Sequence, residues 1–73
     1  MVTLEERRTQ ALGDFRAGRY EEAAAQFAAI AAVSDSDTDW FNLITSSALA
    51  KQFNVAEGTF NMLHPRIVAR VEE

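Results

Sequence analysis

The chain has 73 residues, no cysteine and a formal net charge of −4. A chain of this length forms one small domain that buries only about 60 % of its unfolded surface, and the lack of cysteine excludes disulfides and thiolate metal sites. The composition is 48 % hydrophobic and rich in alanine, which excludes disorder and favours helices over a sheet. An excess of acidic residues disfavours nonspecific binding to nucleic acid, which depends on lysine and arginine at phosphates.

The first predicted helix covers about 4–17. Thr3 and Glu6 have the spacing of a capping box, in which the hydroxyl accepts an amide hydrogen bond at the start of a helix. Gly18 is suited to the left-handed conformation that commonly ends a helix. We expect the chain to turn back there.

The second predicted helix covers 20–33 and begins with two glutamates, which favour the positive end of the helix dipole. Only Gly18 and Arg19 separate it from the first helix. So short a link requires the two helices to fold back as an antiparallel hairpin over about 4–33.

A polar run at 34–39 breaks the apolar pattern, and Ser36 and Asp39 again have capping-box spacing. Apolar and small residues then recur at helical spacing from Trp40 onward, which predicts a third helix that ends near Phe53. Asn54 tolerates the left-handed geometry of a turn. The sequence therefore predicts a second hairpin from about 37.

The fourth predicted helix is short and ends at His64, because a residue before proline is disfavoured in the helical region. Pro65 can begin a further helix, since its missing N–H is not needed in a first turn. The expected fold is all-α, with hairpins at about 4–33 and 37–63 and a short C-terminal helix at about 65–72.

Two copies of the pattern Ala-x3-Phe begin at Ala23 and Ala56, 33 positions apart. Further matching residues are Gly18, Tyr20, Glu21 and Glu22 in the first hairpin and Trp40 and Leu43 in the second. These motifs resemble the tetratricopeptide repeat, a stack of helical hairpins. The resemblance predicts that Ala23 with Phe27 and Ala56 with Phe60 are buried packing pairs, and we expect Trp40 in the core as well.

The resemblance also implies a function, which is protein binding through the concave face as an adaptor, chaperone or regulatory subunit. Carrying the family's register over to this sequence gives the partner-binding residues Arg8, Leu12, Phe15, Arg16, Phe41, Thr45 and Ala48. The expected partner is another protein or peptide. Because about three repeats usually make a stable stack, two hairpins predict a homo-oligomer or a hetero-oligomer.

Two alternatives remain open at this point. Residues 49–63 also resemble a helix-turn-helix, with Ala50 in its first helix and Asn54 in its turn, which would make the chain a small DNA-binding regulator. Among the residues facing the groove only Asn61 offers a base-reading amide. The other alternative is a structural subunit that assembles only with itself.

No residue pattern indicates catalysis or a cofactor. His64 has no cysteine or second histidine with which to share a metal, and the aspartates at 35, 37 and 39 lack the glycine and glutamate of a calcium loop. The charged N-terminus does not have the apolar core of a signal peptide, and no apolar run is long enough to span a membrane. We expect a cytoplasmic protein without enzymatic activity, metal or cofactor.

Overall fold

The computed structural model describes the backbone of residues 2–72 and the side chains of residues 2–71. Four helices follow one another: α1 (Leu4–Arg16), α2 (Tyr20–Ser34), α3 (Asp37–Leu49) and α4 (Phe53–Glu72). Residues 2–72 contain no strand, so the predicted all-α class is confirmed. The Cα atoms extend over 36 × 29 × 16 Å, which is the shape of a flat stack of helices.

The two hairpins are related by a repeat of 33 residues. Adding 33 to the bounds of α1 gives the bounds of α3, and adding 33 to the first residue of α2 gives the first residue of α4. The Ala-x3-Phe patterns have the same offset. The recurring sequence pattern therefore corresponds to a repeat in the structure.

Both hairpin turns have the same hydrogen-bonded geometry. After α1, Gly18 has φ +81° and the amides of Gly18 and Arg19 donate to the carbonyls of Phe15 and Asp14. This is a Schellman motif, in which one left-handed residue lets the chain satisfy the last carbonyls of a helix. The left-handed conformation predicted for Gly18 is confirmed.

The second turn repeats this motif at Lys51, which has φ +64°. The amides of Lys51 and Gln52 donate to the carbonyls of Ala48 and Ser47 at 3.1 and 2.8 Å. The predictions that α3 ends near Phe53 and that Asn54 forms the turn are therefore wrong. They failed because the left-handed residue is a lysine, a residue type that does not signal a turn in sequence.

The core lies around α2, which packs between α1 and α3. It contains Ala11 of α1, Leu43 of α3 and four residues of α2, with Trp40 packed against its edge. Ala23 and Phe27 are 0 % and 1 % exposed, so this predicted packing pair is confirmed. The α4 helix packs mainly against α3.

The second predicted packing pair is wrong in part. Ala56 is half-buried, but Phe60 is 50 % exposed, against 1 % for its repeat counterpart Phe27. Only Leu63 of α4 is buried among the described side chains of that helix. Among the helices of residues 2–72, α4 packs mainly against α3, and Phe60 stays half-exposed.

The predicted break at His64 and the separate C-terminal helix are also wrong, because α4 continues through Pro65. An interior proline removes one helical hydrogen bond and costs about 3 kcal/mol. Ion pairs beyond the proline offset part of this cost. Arg66 pairs with Asp35 at 2.9 Å and with Asp37 at 3.1 Å, and Arg70 also pairs with Asp37, which ties this part of α4 to the α2–α3 link.

Candidate interaction surface

An ion pair between Arg8 of α1 and Asp39 of α3 joins the two hairpins. Arg8 Nε donates to Asp39 Oδ1 at 2.9 Å, and Arg8 Nη2 donates to Asp39 Oδ2 at 2.6 Å. The hydroxyl of Ser34, at the end of α2, donates to the same Oδ2 at 2.6 Å. One carboxylate therefore connects three helices.

The Asp39 side chain is 2 % exposed, whereas that of Arg8 is 35 % exposed. The hydrogen bonds from Arg8, together with that from Ser34 and the arginine charge, hold the pKa of Asp39 below its usual range although burial opposes this. The predicted capping box is wrong, because Asp39 points into the structure and Ser36 caps α3 without a side-chain hydrogen bond. The ion pair with Arg8, a half-buried side chain, explains why the carboxylate turns inward.

The predicted partner-binding residues do not all line one groove. Arg8 and Leu12 line a groove of about 360 Å³ between α1 and α3, with Asn42 on its opposite wall. Phe41 lies elsewhere, in the groove between α3 and α4. Because Arg8 is occupied by Asp39, the α1–α3 groove has less charge available for a partner than the resemblance implied.

The remaining predicted residues have other surroundings. Phe15 packs against the core and makes an edge-to-face contact with Tyr20, with ring centroids 5.3 Å apart. Thr45 donates its hydroxyl to the carbonyl of Phe41 at 3.1 Å. Arg16 and Ala48 are exposed. These four residues line neither groove.

The groove between α3 and α4 is apolar and has a volume of about 130 Å³. Its lining residues are Phe41, Ile44, Phe60, Leu63, His64 and Ile67. Phe41 is 59 % exposed, and the ring of Phe60 stacks on that of His64 with centroids 5.3 Å apart. Two phenylalanines thus border the same open groove.

The groove continues along one face of α4. Residues at spacings of four and three follow this face, and we call them the uncovered α4 face: Phe53, Glu57, Phe60, His64, Ile67 and Val71. All six are exposed. This spacing places them on a single stripe of the helix, along most of its length.

The repeat explains why this stripe is open. Its central residues Glu57, Phe60 and His64 correspond to Ala24, Phe27 and Ala31 of α2, which are all buried in the stack. In the first hairpin a neighbouring helix, α3, packs on α2. Within the described part of the chain no further helix packs on α4 in this way, and the equivalent stripe is exposed.

Sequence reasoning missed most of this surface. It assigned Phe60 to the core and did not include His64 or Ile67 among the partner-binding residues. The sequence does contain an indication of this surface. The apolar residues of 53–71 occupy a wider part of the helix circumference than packing against a single neighbouring helix can bury. The assumed break at Pro65 concealed it by dividing one helix into two short ones.

The rest of the described chain offers no metal site. Within residues 2–71, no three histidine, aspartate or glutamate side chains are grouped so that they could hold a metal ion. No helix in the described part of the chain is both long and apolar enough to cross a membrane.

The fold defines an all-α protein of two helical hairpins related by a 33-residue repeat. Comparisons with protein-family models, curated proteins and solved structures found no match to this chain.

Proposed function

We propose that this chain is a non-enzymatic protein-interaction module that binds another polypeptide through the uncovered α4 face and the adjoining α3–α4 groove. The observation that carries the proposal is the contrast between Phe27 and Phe60. These residues occupy equivalent repeat positions, yet Phe27 is 1 % exposed and Phe60 is 50 % exposed. Contiguous apolar surface of this kind is typical of interaction sites.

The occupant that fits best is an amphipathic helix. The equivalent stripe of α2 is buried in a stack in which the neighbouring elements are helices, α1 and α3, so the repeat favours a helix as the occupant. Phe41 and Phe60 would act as anchors, since half-exposed aromatic side chains that become buried contribute about 1 kcal/mol or more each. The groove between them accepts an apolar side chain of the partner helix.

The α1–α3 groove suggested by the tetratricopeptide resemblance is the weaker site. Its predicted cation, Arg8, already forms three hydrogen-bond contacts with Asp39. Leu12 is its exposed apolar residue and is only 36 % exposed. A partner would therefore gain less from this groove than from the uncovered α4 face.

The helix bounds and the ion pairs of α4 do not favour the DNA-binding alternative. Ala50 follows the end of α3 and Asn54 lies in the first turn of α4, so the helix-turn-helix register proposed for 49–63 is wrong. The α4 arginines that could contact phosphates, Arg66 and Arg70, are paired with aspartates of the α2–α3 link. We do not propose a nucleic-acid partner.

A photo-crosslinking amino acid placed at position 41 or 60 tests the proposal in the native source. We expect both positions to form adducts with a polypeptide, identified by mass spectrometry. Position 33 on α2 is the matched control, because Val33 is 70 % exposed and lies outside both grooves. Adducts at position 12 but not at 41 or 60 would contradict the proposal and favour the α1–α3 groove.

A further inference from the structure

We infer that the polypeptide covering the uncovered α4 face is a second copy of this chain, with the two α4 helices packed antiparallel about a two-fold axis. The inference rests on the proposed function, since it names the occupant of the same surface. Three observations carry it: the polar residues on the outer side of α1, the order of charged and polar residues along α4, and the size of the exposed apolar surface.

Polar residues on α1 argue against the simplest alternative. In that alternative the copies stack end to end, and α1 of one copy covers α4 of the next. In that arrangement α1 would take the place that α3 has on α2. The residues of α1 that correspond to Trp40 and Leu43 of α3 are Arg7 and Gln10, and both are exposed. Burying them against Phe60 would leave polar groups without partners, which is costly.

The order of charges along α4 fits an antiparallel pair of identical helices. Glu57 and His64 lie on either side of Phe60 in the uncovered α4 face. If the two-fold axis passes between residues 60 and 61, Glu57 of each copy lies opposite His64 of the other. The carboxylate can then accept a hydrogen bond from the imidazole at both ends of the contact.

The same axis matches apolar with apolar residues. Phe53 lies beside Ile67 and opposite Val68 of the second copy, and the two Phe60 side chains meet near the axis. Val68 is 39 % exposed and Phe53 is 64 % exposed, so both have surface left to bury. In this arrangement the apolar residues of the uncovered α4 face lie opposite apolar residues, and Glu57 lies opposite His64, so the face is complementary to itself.

The exposed apolar surface is large enough for a dimer. With aromatic side chains of roughly 200 Å² and aliphatic ones of roughly 100 Å², the exposed fractions of the residues concerned leave about 500 Å² per copy. These residues are Phe41, Phe53, Phe60, Ile67, Val68 and Val71. A pair of copies would bury about 1,000 Å², the size at which specific interfaces begin.

Sedimentation equilibrium of the full chain over a range of concentrations tests the inference. We expect reversible association from 8.1 kDa to twice that mass. Phe60→Asp should abolish the dimer, whereas Val33→Glu on the exposed surface of α2 should not change it. Circular dichroism of each variant verifies that the helices remain folded.

Charge reversal gives the sharper test. His64→Glu alone should weaken self-association by about tenfold or more, because it places two carboxylates opposite one another. Glu57→Lys alone should weaken it as well, because it removes the acceptor of the imidazole hydrogen bond and leaves an ammonium group without an opposite charge. An equimolar mixture of the two variants should form a heterodimer, since one contact then pairs the introduced lysine with the introduced glutamate and the other keeps Glu57 opposite His64. Failure of the mixture to associate while the unmodified chain dimerises would overturn the antiparallel arrangement.

Other outcomes separate this inference from the proposed function. A chain that stays monomeric at all concentrations, together with crosslinks from position 60 to a different polypeptide, would overturn the inference and leave the proposed function standing. Growth into species larger than a dimer that is blocked by Arg7→Glu would show end-to-end stacking and would also overturn it. The absence of both self-association and crosslinks would contradict both.

Discussion

Replacing Asp39 by asparagine tests whether the ion pair between the hairpins stabilises the fold. The substitution keeps the size of the side chain and removes the charge that accepts hydrogen bonds from Arg8 and Ser34. Hydrogen bonds to charged groups contribute about 1.5–3 kcal/mol each, but Arg8 is 35 % exposed and regains water when its partner is lost. We therefore expect a net loss of about 2 kcal/mol in the free energy of unfolding.

This loss is large for so small a protein. A domain of this length has a total stability of roughly 4–11 kcal/mol, and a loss of about 2 kcal/mol lowers Tm by roughly 8–16 °C. Urea and thermal unfolding followed by circular dichroism measure both quantities. Glu22→Gln, which removes one negative charge from an exposed position in the first turn of α2, is the control and should cost no more than about 0.3–1 kcal/mol, the contribution of a carboxylate at the start of a helix.

The pH dependence of the same variant checks the reasoning independently. The folded-state pKa of Asp39 is lowered from 3.8, so the unfolded chain binds protons first as the pH falls. The contribution of Asp39 is therefore complete above about pH 5 and is lost as the pH falls below about 4 towards the folded-state pKa. The stability difference between the unmodified chain and Asp39→Asn should shrink over this range. A difference below about 0.5 kcal/mol at neutral pH, or one that grows in acid, would refute the argument.

Three further substitutions test the turns, the proline and the repeat. Lys51→Gly should stabilise the fold by about 0.5–1 kcal/mol in urea unfolding, because glycine adopts the observed φ of +64° without strain; destabilisation would contradict the left-handed turn. Pro65→Ala should stabilise it by about 1–3 kcal/mol by restoring a hydrogen bond within α4, and a loss of stability would argue against a continuous helix. In dilute, monomeric solution Phe27→Ala should cost about 3–5 kcal/mol and Phe60→Ala only about 1 kcal/mol, since the first side chain is buried and the second half-exposed; equal costs would mean that the two repeat positions have the same environment.

Local features of the fold could be predicted from the sequence where a residue type strongly favours one structural role, such as helix capping or a left-handed turn. Thr3 accepts the amide of Glu6 at 3.1 Å, as its capping-box position predicted, and Gly18 forms the first turn. The first hairpin was placed within a residue or two at each end for the same reason. The recurrence of Ala-x3-Phe also indicated the 33-residue period that the helix bounds show.

Other features depend on residues that are distant in the chain. Asp39 has the spacing of a helix cap, but Arg8, 31 positions away, determines where its carboxylate points. Pro65 lies inside α4, and Arg66 and Arg70 beyond it pair with Asp35, after α2, and Asp37, at the start of α3. No local pattern contains this information, so the sequence predicted a cap and a helix break instead.

The all-α class, the hairpins and their period were therefore determined by the sequence itself, through helix propensity, turn residues and the recurrence of small and aromatic side chains. Only the tertiary structure decided which of two equivalent phenylalanines is buried. Phe27 is buried on α2, which packs between α1 and α3, whereas in the described part of the chain α4 packs mainly against α3 and leaves Phe60 half-exposed. That difference, which is a property of position in the stack, leaves the apolar surface on which the proposed interaction depends.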